Sequence, residues 1–391
     1  MKNEMYKIIV LVILFVGSIE SHAQFEKDKI DSESFSGLDI KLGADFALQL
    51  QGIEHEANVE LVDLKKNFNL PTANLHITAN LAPGMQLHIN NYMSSRHHND
   101  AWVEGGYLTI DKMVFLPITD VFMDYLTIKA GVFNPNYGDA HFYRSNNAAV
   151  INNPFVGNFI MDNFTNNPGM EIMFRHQGVL AMIGTNNGRM NYGRGNDLID
   201  DLVFNWKLGY DSYLLDDLRV RATFSGYHVD DGHSGSTLWD GDRAGARYYT
   251  VMQPADVTAD NFRSGRWSPS SGQSQMNSYM FNLFVQFYGL ELFGIYEDMR
   301  GVRNGNDQHF NQTAIQALYR IGDFYVGTRF NNVDNNNGSS VTRMNFGGGW
   351  FMTNNVLVKL DYVDQKYEGP AHGSIDGGKF NGLVFEAAIS F

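Results

Sequence analysis

The stretch Leu126-Thr127-Ile128-Lys129-Ala130-Gly131-Val132-Phe133, continued by Asn134-Pro135-Asn136-Tyr137-Gly138-Asp139-Ala140-His141-Phe142-Tyr143-Arg144, decides the reading of this chain. Its first half sets apolar side chains at every second position, the period of a strand with one buried face. The chain from Asn134 to Pro168 is rich in Asn, Phe and Gly, and alternation resumes near Met170. A connection this long inside a compact domain is functional or disordered. Its Phe, Tyr, Asp, His and Arg content argues against disorder. The expectation is a segment, residues 134–168, that folds back into the lumen of a β-barrel and narrows it, with the rest of the chain as the wall.

Alternation recurs on both sides of that stretch. Leu38, Ile40, Leu42, Ala44, Phe46, Leu48 and Leu50 share one face, and Asp39, Lys41, Asp45 and Gln49 share the other. The run is longer than an ordinary strand and fits a tilted membrane strand. Similar runs cover 73–81, 85–93, 102–110, 170–175, 179–185, 202–210 and 219–225. Three hairpins come next, at 279–299, 312–331 and 342–362, before a terminal strand that ends in Phe391. The total is about sixteen strands, the even number of a bacterial single-chain barrel. Short turns, near Pro83, Gln177, Gly289, Gly322 and Asn354, alternate with long connections at 54–70, 134–168, 187–200, 229–277, 300–311, 332–341 and 365–379. Short turns on one rim and long loops on the other are the pattern of a transmembrane barrel, with both termini periplasmic and 229–277 as a long extracellular loop. Residues 111–124 are the misfit: a long connection on the short-turn rim, with room for a small helix. A soluble β-sandwich or lectin-like domain also has many strands at regular spacing. Strand length, alternating turn length and large apolar outward faces weigh against it.

Composition agrees. Mean hydropathy is −0.27, which excludes a helical membrane bundle but not a barrel, whose strands hide half their residues from lipid. The first residues read as an export signal: Lys2 and Lys7, an apolar run at 8–16, and a small-x-small cleavage site at Ser21-His22-Ala23. That assigns 1–23 to a signal peptide and 24–391 to the mature barrel. The chain has no Cys, so it has neither a disulfide framework nor a thiolate metal site. A net charge of −14 argues against nucleic acid as a partner. Trp102, Tyr107, Trp206, Tyr210, Trp350 and Tyr362, near strand ends, are candidates for interfacial girdles.

By parity the lumen wall carries Lys41, Lys129, Arg175, Lys207, Arg219, Arg221, Arg320, Arg329, Arg343 and Lys359. Its acids are Asp39, Asp45, Glu171, Asp361 and Glu386, with Glu291 and Glu297. In the central loop Asp139, His141, Tyr143, Arg144 and Asp162 are the candidates for a constriction. Two arrangements stay open for Asp139 and Arg144. Opposed across a narrow gap, they set up a transverse field that favours polar solutes; paired locally, they hold the loop shut on itself. Phe142, Phe155, Phe159 and Phe164 are expected to pin the loop to the wall. No cofactor is implied, although Asp and Asn in outer loops offer oxygen ligands for Ca²⁺. His97-His98-Asn99-Asp100 and 332–338 are weak metal signals. His76 and His88 face the lumen beside Thr78, but no Ser joins them, and no hydrolase motif is present.

Ala130-Gly131-Val132-Phe133-Asn134-Pro135-Asn136-Tyr137-Gly138, with Asn153-Pro154-Phe155-Val156-Gly157-Asn158 and the terminal Phe391, resembles the porins of Bacteroidota. It is more distantly similar to phosphate-selective porins of the O and P type. The resemblance covers the mature chain and implies a sixteen-stranded outer-membrane barrel, commonly trimeric, with a loop in the lumen. Phe391 looks like the signal read by the barrel-assembly machinery of Gram-negative bacteria. Phosphate-selective members have a ladder of Lys and Arg at the constriction, whereas Arg144 is the only basic residue of this central loop. The expected function is passive diffusion of small hydrophilic solutes or ions, with no enzymatic step. The competing expectation is a receptor or secretion and assembly component acting through its outer loops.

Overall fold

The computed structural model describes residues 25–92, 102–144, 150–161, 163, 165–188, 202–230, 238–239, 248–256, 265–267, 269 and 275–391. Sixteen strands form one closed antiparallel barrel in which each strand pairs with the next and the last pairs with the first. They are β1 (Asp39–Glu56), β2 (Asn67–Ala82), β3 (Met85–Tyr92), β4 (Trp102–Ile110), β5 (Leu126–Phe133), β6 (Asn167–His176), β7 (Val179–Asn186) and β8 (Val203–Leu215). The second half comprises β9 (Leu218–Val229), β10 (Gln275–Phe287), β11 (Leu290–Arg303), β12 (Asn306–Ile321), β13 (Phe324–Asn335), β14 (Ser340–Thr353), β15 (Val356–Glu368) and β16 (Lys379–Ser390). The seam is closed by β1 and β16, with Ala47 opposite Ala388 and Gln49 opposite Glu386. Phe391 N donates to Ala44 O (3.1 Å) and Ala44 N to Phe391 O (3.0 Å), which extends the ladder to the last residue.

The alternation read from the sequence is inverted relative to a soluble protein. Phe281, Ile315, Phe346, Leu360 and Phe385 are exposed on the outside, while their neighbours Asn282, Gln316, Asn345, Asp361 and Glu386 are buried inside. A surface this rich in large apolar groups is stable only against hydrocarbon. The fold is a transmembrane β-barrel of sixteen strands. Among the described residues no helix is long and apolar enough to cross a membrane, so the crossing is made by strands.

Several strands run further than alternation alone suggests, most of them toward the long-loop rim, while β8 extends to Leu215 on the short-turn rim. Residues 300–311 are not a long connection: β11 and β12 meet across Asn304-Gly305, both at positive φ (52° and 77°). Asn-Gly at positive φ is the preferred two-residue hairpin turn because its twist matches that of the strands. The 332–341 connection likewise shrinks to 336–339. Residues 111–125 do hold a small helix, Asp120–Met123, after a 3₁₀ turn at Pro117–Thr119. Tyr107 is not a girdle residue. A register shift between Asn90 and Asn91 offsets β4, and Tyr107 points into the lumen, where its ring lies 5.2 Å from His88 and under Lys129 Nζ at 4.3 Å. Tyr210, Trp350 and Tyr362 are exposed on the outer face. Trp206 is half-buried there, donating Nε1 to His228 (3.0 Å).

The largest buried apolar cluster lies inside the cylinder. Tyr137, Phe159 and Met161 from the central loop and Trp239 and Met252 from the 230–274 connection pack on Tyr227, Met280, Phe284, Phe293 and Phe310 of the wall. The described parts of 230–274 fold over the lumen: Tyr249 N donates to Gln51 Oε1 (2.8 Å) and Met252 N to His55 Nδ1 (2.8 Å).

Phe281 sits mid-strand on the lipid face of β10. Phe281→Arg is expected to reduce folding free energy by about 2–4 kcal/mol, measured by urea titration in lipid vesicles. A loss under 1 kcal/mol, within the ~0–1 typical of interfacial positions, would place this face outside the hydrocarbon.

Candidate functional site in the barrel lumen

The central loop spans 134–166 and is tied at its neck. Asn134 Nδ2 donates to Asn163 O (3.2 Å), Asn163 Oδ1 (3.0 Å) and Thr165 O (2.9 Å). From there the chain makes a 3₁₀ turn, Ala140–Tyr143. Inside the lumen its backbone has no neighbouring strand, so its polar groups need side-chain partners. The wall supplies them. Asn136 N donates to Glu171 Oε1 (2.7 Å) on β6, and Gly138 N to Ser225 Oγ (3.1 Å) on β9. Asp139 N donates to Asn282 Oδ1 (2.9 Å), Val156 N to Asp361 Oδ2 (2.9 Å) and Ile160 N to Asn331 Oδ1 (2.7 Å). Gln312 serves both ends of one residue: its Oε1 accepts from Met161 N (3.0 Å) and its Nε2 donates to Met161 O (2.6 Å).

The carbonyls are taken by the cations that parity assigned to the wall. Arg329 Nη1 donates to Gly157 O (2.7 Å), and its guanidinium lies 4.2 Å from the Phe159 ring centre. Arg343 donates to Asn158 O (2.6 Å). Lys359 Nζ reaches Val150 O (3.2 Å) and Asn153 O (3.0 Å) and pairs with Glu386. Tyr137 OH donates to Glu297 Oε1 (2.8 Å). Gly138, at φ 65°, is required where the loop touches β10: a Cβ there would overlap the Met280 sulfur.

A second group of charges lies beside Asp139. Arg221 binds its carboxylate through Nε (2.9 Å) and Nη2 (2.9 Å), Lys207 Nζ reaches Oδ1 (2.9 Å), and Thr223 Oγ1 donates to Oδ2 (2.9 Å). The expected choice for Asp139 is settled in favour of neither alternative: its ion-pair partners are Arg221 and Lys207 of the wall, not Arg144. Burial opposes the Asp139 charge, but Arg221 and Lys207 outweigh it and hold the carboxyl well below the usual range. Glu26, from the segment before β1, joins the group through Arg221 and Lys207. Burial works against its charge too, yet the two cations bring it down to about 2. Burial, with Lys207 adding to it, lowers His141 to about 3, so its ring is neutral at physiological pH.

The remaining sequence candidates disperse. The His141 ring lies tilted against its neighbour Phe142 at 4.0 Å, and Tyr143 packs on Phe293 at 5.0 Å. Arg144 is buried. Lys41 is exposed near the short-turn rim. Lys129 lies between Tyr107 and Phe133. Arg175 Nη1 donates to Lys27 O (2.7 Å), and Arg219 makes a two-point pair with Asp211 (2.8 and 2.8 Å). Arg320 pairs with Glu291. Asp162, Phe164 and His97-His98-Asn99-Asp100 lie outside the described residues. Among the described residues no group of three or more His, Asp or Glu converges on a metal position.

Among the described residues the loop leaves an off-centre space open. A cavity of about 320 Å³ runs along β3 to β7, and its lining includes Thr127 and Phe133 at opposite ends of β5. Gln86, His88, Thr109 and Asn136 supply its polar part, within a lining that is more apolar than polar. The sequence reading missed Phe25, Glu26, Asn136 and Asp211. The latter two carry a parity or loop signal, whereas Phe25 and Glu26 sit in a charged leader with no periodicity.

No protein-family profile matches this chain, and no curated protein sequence matches it. Solved structures do. OprB of Pseudomonas putida aligns with a TM-score of 0.55 at 10% identity, over 91% of this chain and 94% of that one. The trimer form of OmpT, an outer-membrane protein of Vibrio cholerae, gives 0.54 at 9% identity, over 91% and 100%. An anion-selective porin from Comamonas acidovorans gives 0.52 at 10%, over 90% and 100%. At such identities the likeness is one of fold: the architecture is that of outer-membrane porins.

Two measurements check the ion-pair group. Arg221→Met leaves Asp139 and Glu26 to share Lys207, one buried negative charge in excess, and is expected to lower stability to urea by about 3–5 kcal/mol; a loss below 1 kcal/mol, in the ~0–1 range of exposed pairs, would show the group to be solvated. Glu26 has a folded pKa below its ordinary 4.5, so its contribution is complete above pH 4.5 and is lost as pH falls toward about 2. The chain has no Cys, so a spin label on Asp28→Cys reports that segment alone. Its spectrum is expected to become more mobile across that window, and less so in a Glu26→Gln background, where the label is already mobile.

Proposed function

We propose that this chain is an outer-membrane porin, a passive channel for small hydrophilic solutes or ions. The supporting observation is the off-centre cavity beside β3 to β7, polar in part and reaching both ends of β5, inside a barrel whose outer face is apolar. The 134–166 loop occupies the other side of the lumen and sets the size limit. A solute there keeps hydrogen-bond partners it would lose in lipid, and no bond is made or broken.

Residues 1–23 are removed on export, and Phe391, with its ring exposed at the short-turn rim, presents the assembly signal. The functional unit is a homotrimer. Its contact face is the outside of β2 to β5, where Leu75, Ile77, Leu87, Leu108 and Ala130 form an aliphatic patch, in contrast to the aromatic groups that stud β8 to β16. Kinship with Bacteroidota porins belongs to this proposal; phosphate selectivity does not, because Arg329, Arg343 and Lys359 donate to loop carbonyls and wall side chains. Outer-loop carboxylates and amides remain candidate Ca²⁺ ligands.

Reconstitution in planar bilayers with single-channel recording is the test. Replacing residues 150–161 with a short Gly-Ser linker is expected to raise conductance severalfold, because it removes Phe155, Phe159 and Met161 from the lumen. A barrel that never conducts, with or without that segment, points instead to the receptor or assembly reading.

A further inference from the structure

The segment before β1 starts inside the barrel. Residues 25–36 run from the lumen to the short-turn rim and are anchored there. Ile30 N donates to Asp111 Oδ2 (2.9 Å), Lys29 Nζ to Leu126 O (2.9 Å) and to Met123 O, and Arg175 to Lys27 O (2.7 Å). Ahead of these anchors stand Phe25 and Glu26, held among the described residues through their side chains. The Glu26 carboxylate makes a two-point pair with Arg221, Nη1 to Oε2 (2.8 Å) and Nη2 to Oε1 (3.0 Å). Lys207 Nζ and Asn136 Nδ2 each reach Oε1 at 3.3 Å. The Phe25 ring lies 4.3 Å from the Arg221 guanidinium and contacts Phe142 (5.7 Å), Tyr143 (6.3 Å) and Phe284 (5.3 Å) edge-on.

Charge counting separates Glu26 from the other acids. Among the described residues, the groups in direct ion contact here are Lys207, Arg219 and Arg221 against Asp139, Asp211 and Glu26. Five of the six belong to the wall or the tied loop. Glu26 alone lies on the segment ahead of β1, whose backbone anchors are further along. When it leaves, one positive charge is left over, with Lys207 and Arg221 nearly fully buried. An uncompensated buried charge is strongly unfavourable, so the vacated place calls for another anion. Arg221 is already shaped for two: its Nε and Nη2 edge holds Asp139, and its Nη1 and Nη2 edge faces Glu26. Phe25 and Glu26 also line the cavity beside β3 to β7, so there is space into which they can withdraw and from which a competitor can arrive.

We propose that Phe25-Glu26 is a tethered occupant of an anion subsite, and that the diffusible ligand of this subsite is a small carboxylate bearing an aromatic or apolar group. The carboxylate takes the Arg221 and Lys207 face; the apolar part takes the Phe142, Tyr143 and Phe284 recess. The strap closes the subsite when no solute is present, and a solute of this class displaces it. As a statement about solute choice this rests on the channel reading; the binding itself does not.

The test uses the full barrel, folded in detergent, with N-acetyl-phenylalanyl-glutamate amide as probe and its glutamine counterpart as control. In Glu26→Gln the tip loses its charge-assisted hold, and calorimetry is expected to show one-to-one binding of the probe at least about tenfold tighter than to the native protein, and at least about tenfold tighter than the control. Should Glu26→Gln fail to fold, Phe25→Ala keeps every ion pair and is expected to bind the probe more tightly than the native protein. Equal affinity for probe and control, or no binding to a folded variant, overturns the proposal. Conductance is recorded separately on the same samples. Binding without conduction keeps the subsite and removes the channel; conduction without selective binding removes the subsite alone.

Discussion

The whole molecule is governed by the cost of an unpaired backbone polar group away from water. Around the perimeter that cost is avoided by closure: β1 meets β16, and each strand edge is used. The seam continues to the final residue through the Phe391 and Ala44 pair. Once the ladder is closed, the outward side chains face only hydrocarbon and become apolar, and the polar positions are left to the inside.

The same constraint then operates a second time, within the lumen. The central loop enters as irregular backbone, and irregular backbone there needs partners. The wall answers with amides and carboxylates for the N–H groups and with Arg and Lys for the carbonyls. Many polar wall residues are therefore not a lining for water. They are the counterpart of the loop and supply the partners that a neighbouring strand would supply. Between these polar contacts the loop packs aromatic and Met side chains into an apolar cluster, and the cavity among the described residues lies on the β3 to β7 side.

Reading alternation places all sixteen strands and the central loop correctly, and β5 to the residue. Period two is a local property, visible wherever one face meets lipid. The reading falls short where the outward side chain leaves hydrocarbon for the headgroup region and no longer needs to be apolar. That is why β11 and β12 run on past 299 and 312 to meet at Asn304-Gly305. The Asn-Gly pair itself was the legible signal of that turn. Tyr107 is misread for a different reason, since one register shift beside Asn91 reverses the parity beyond it. For the candidate site, parity finds Lys207, Arg221, Arg329, Arg343 and Lys359 as inward residues, yet says nothing of what they hold.

By itself the sequence determined the wall: strand number, the face each side chain presents, and the loop that turns inward. These depend on neighbours one or two positions away. Only the tertiary structure decided who occupies the lumen. Glu26 meets Lys207 and Arg221 across 181 and 195 residues of chain, and Asp139 finds its partners on β8 and β9 rather than five residues on at Arg144. Such pairs are set by the closing of the cylinder, which brings distant residues to a common centre, and no spacing along the chain encodes that distance.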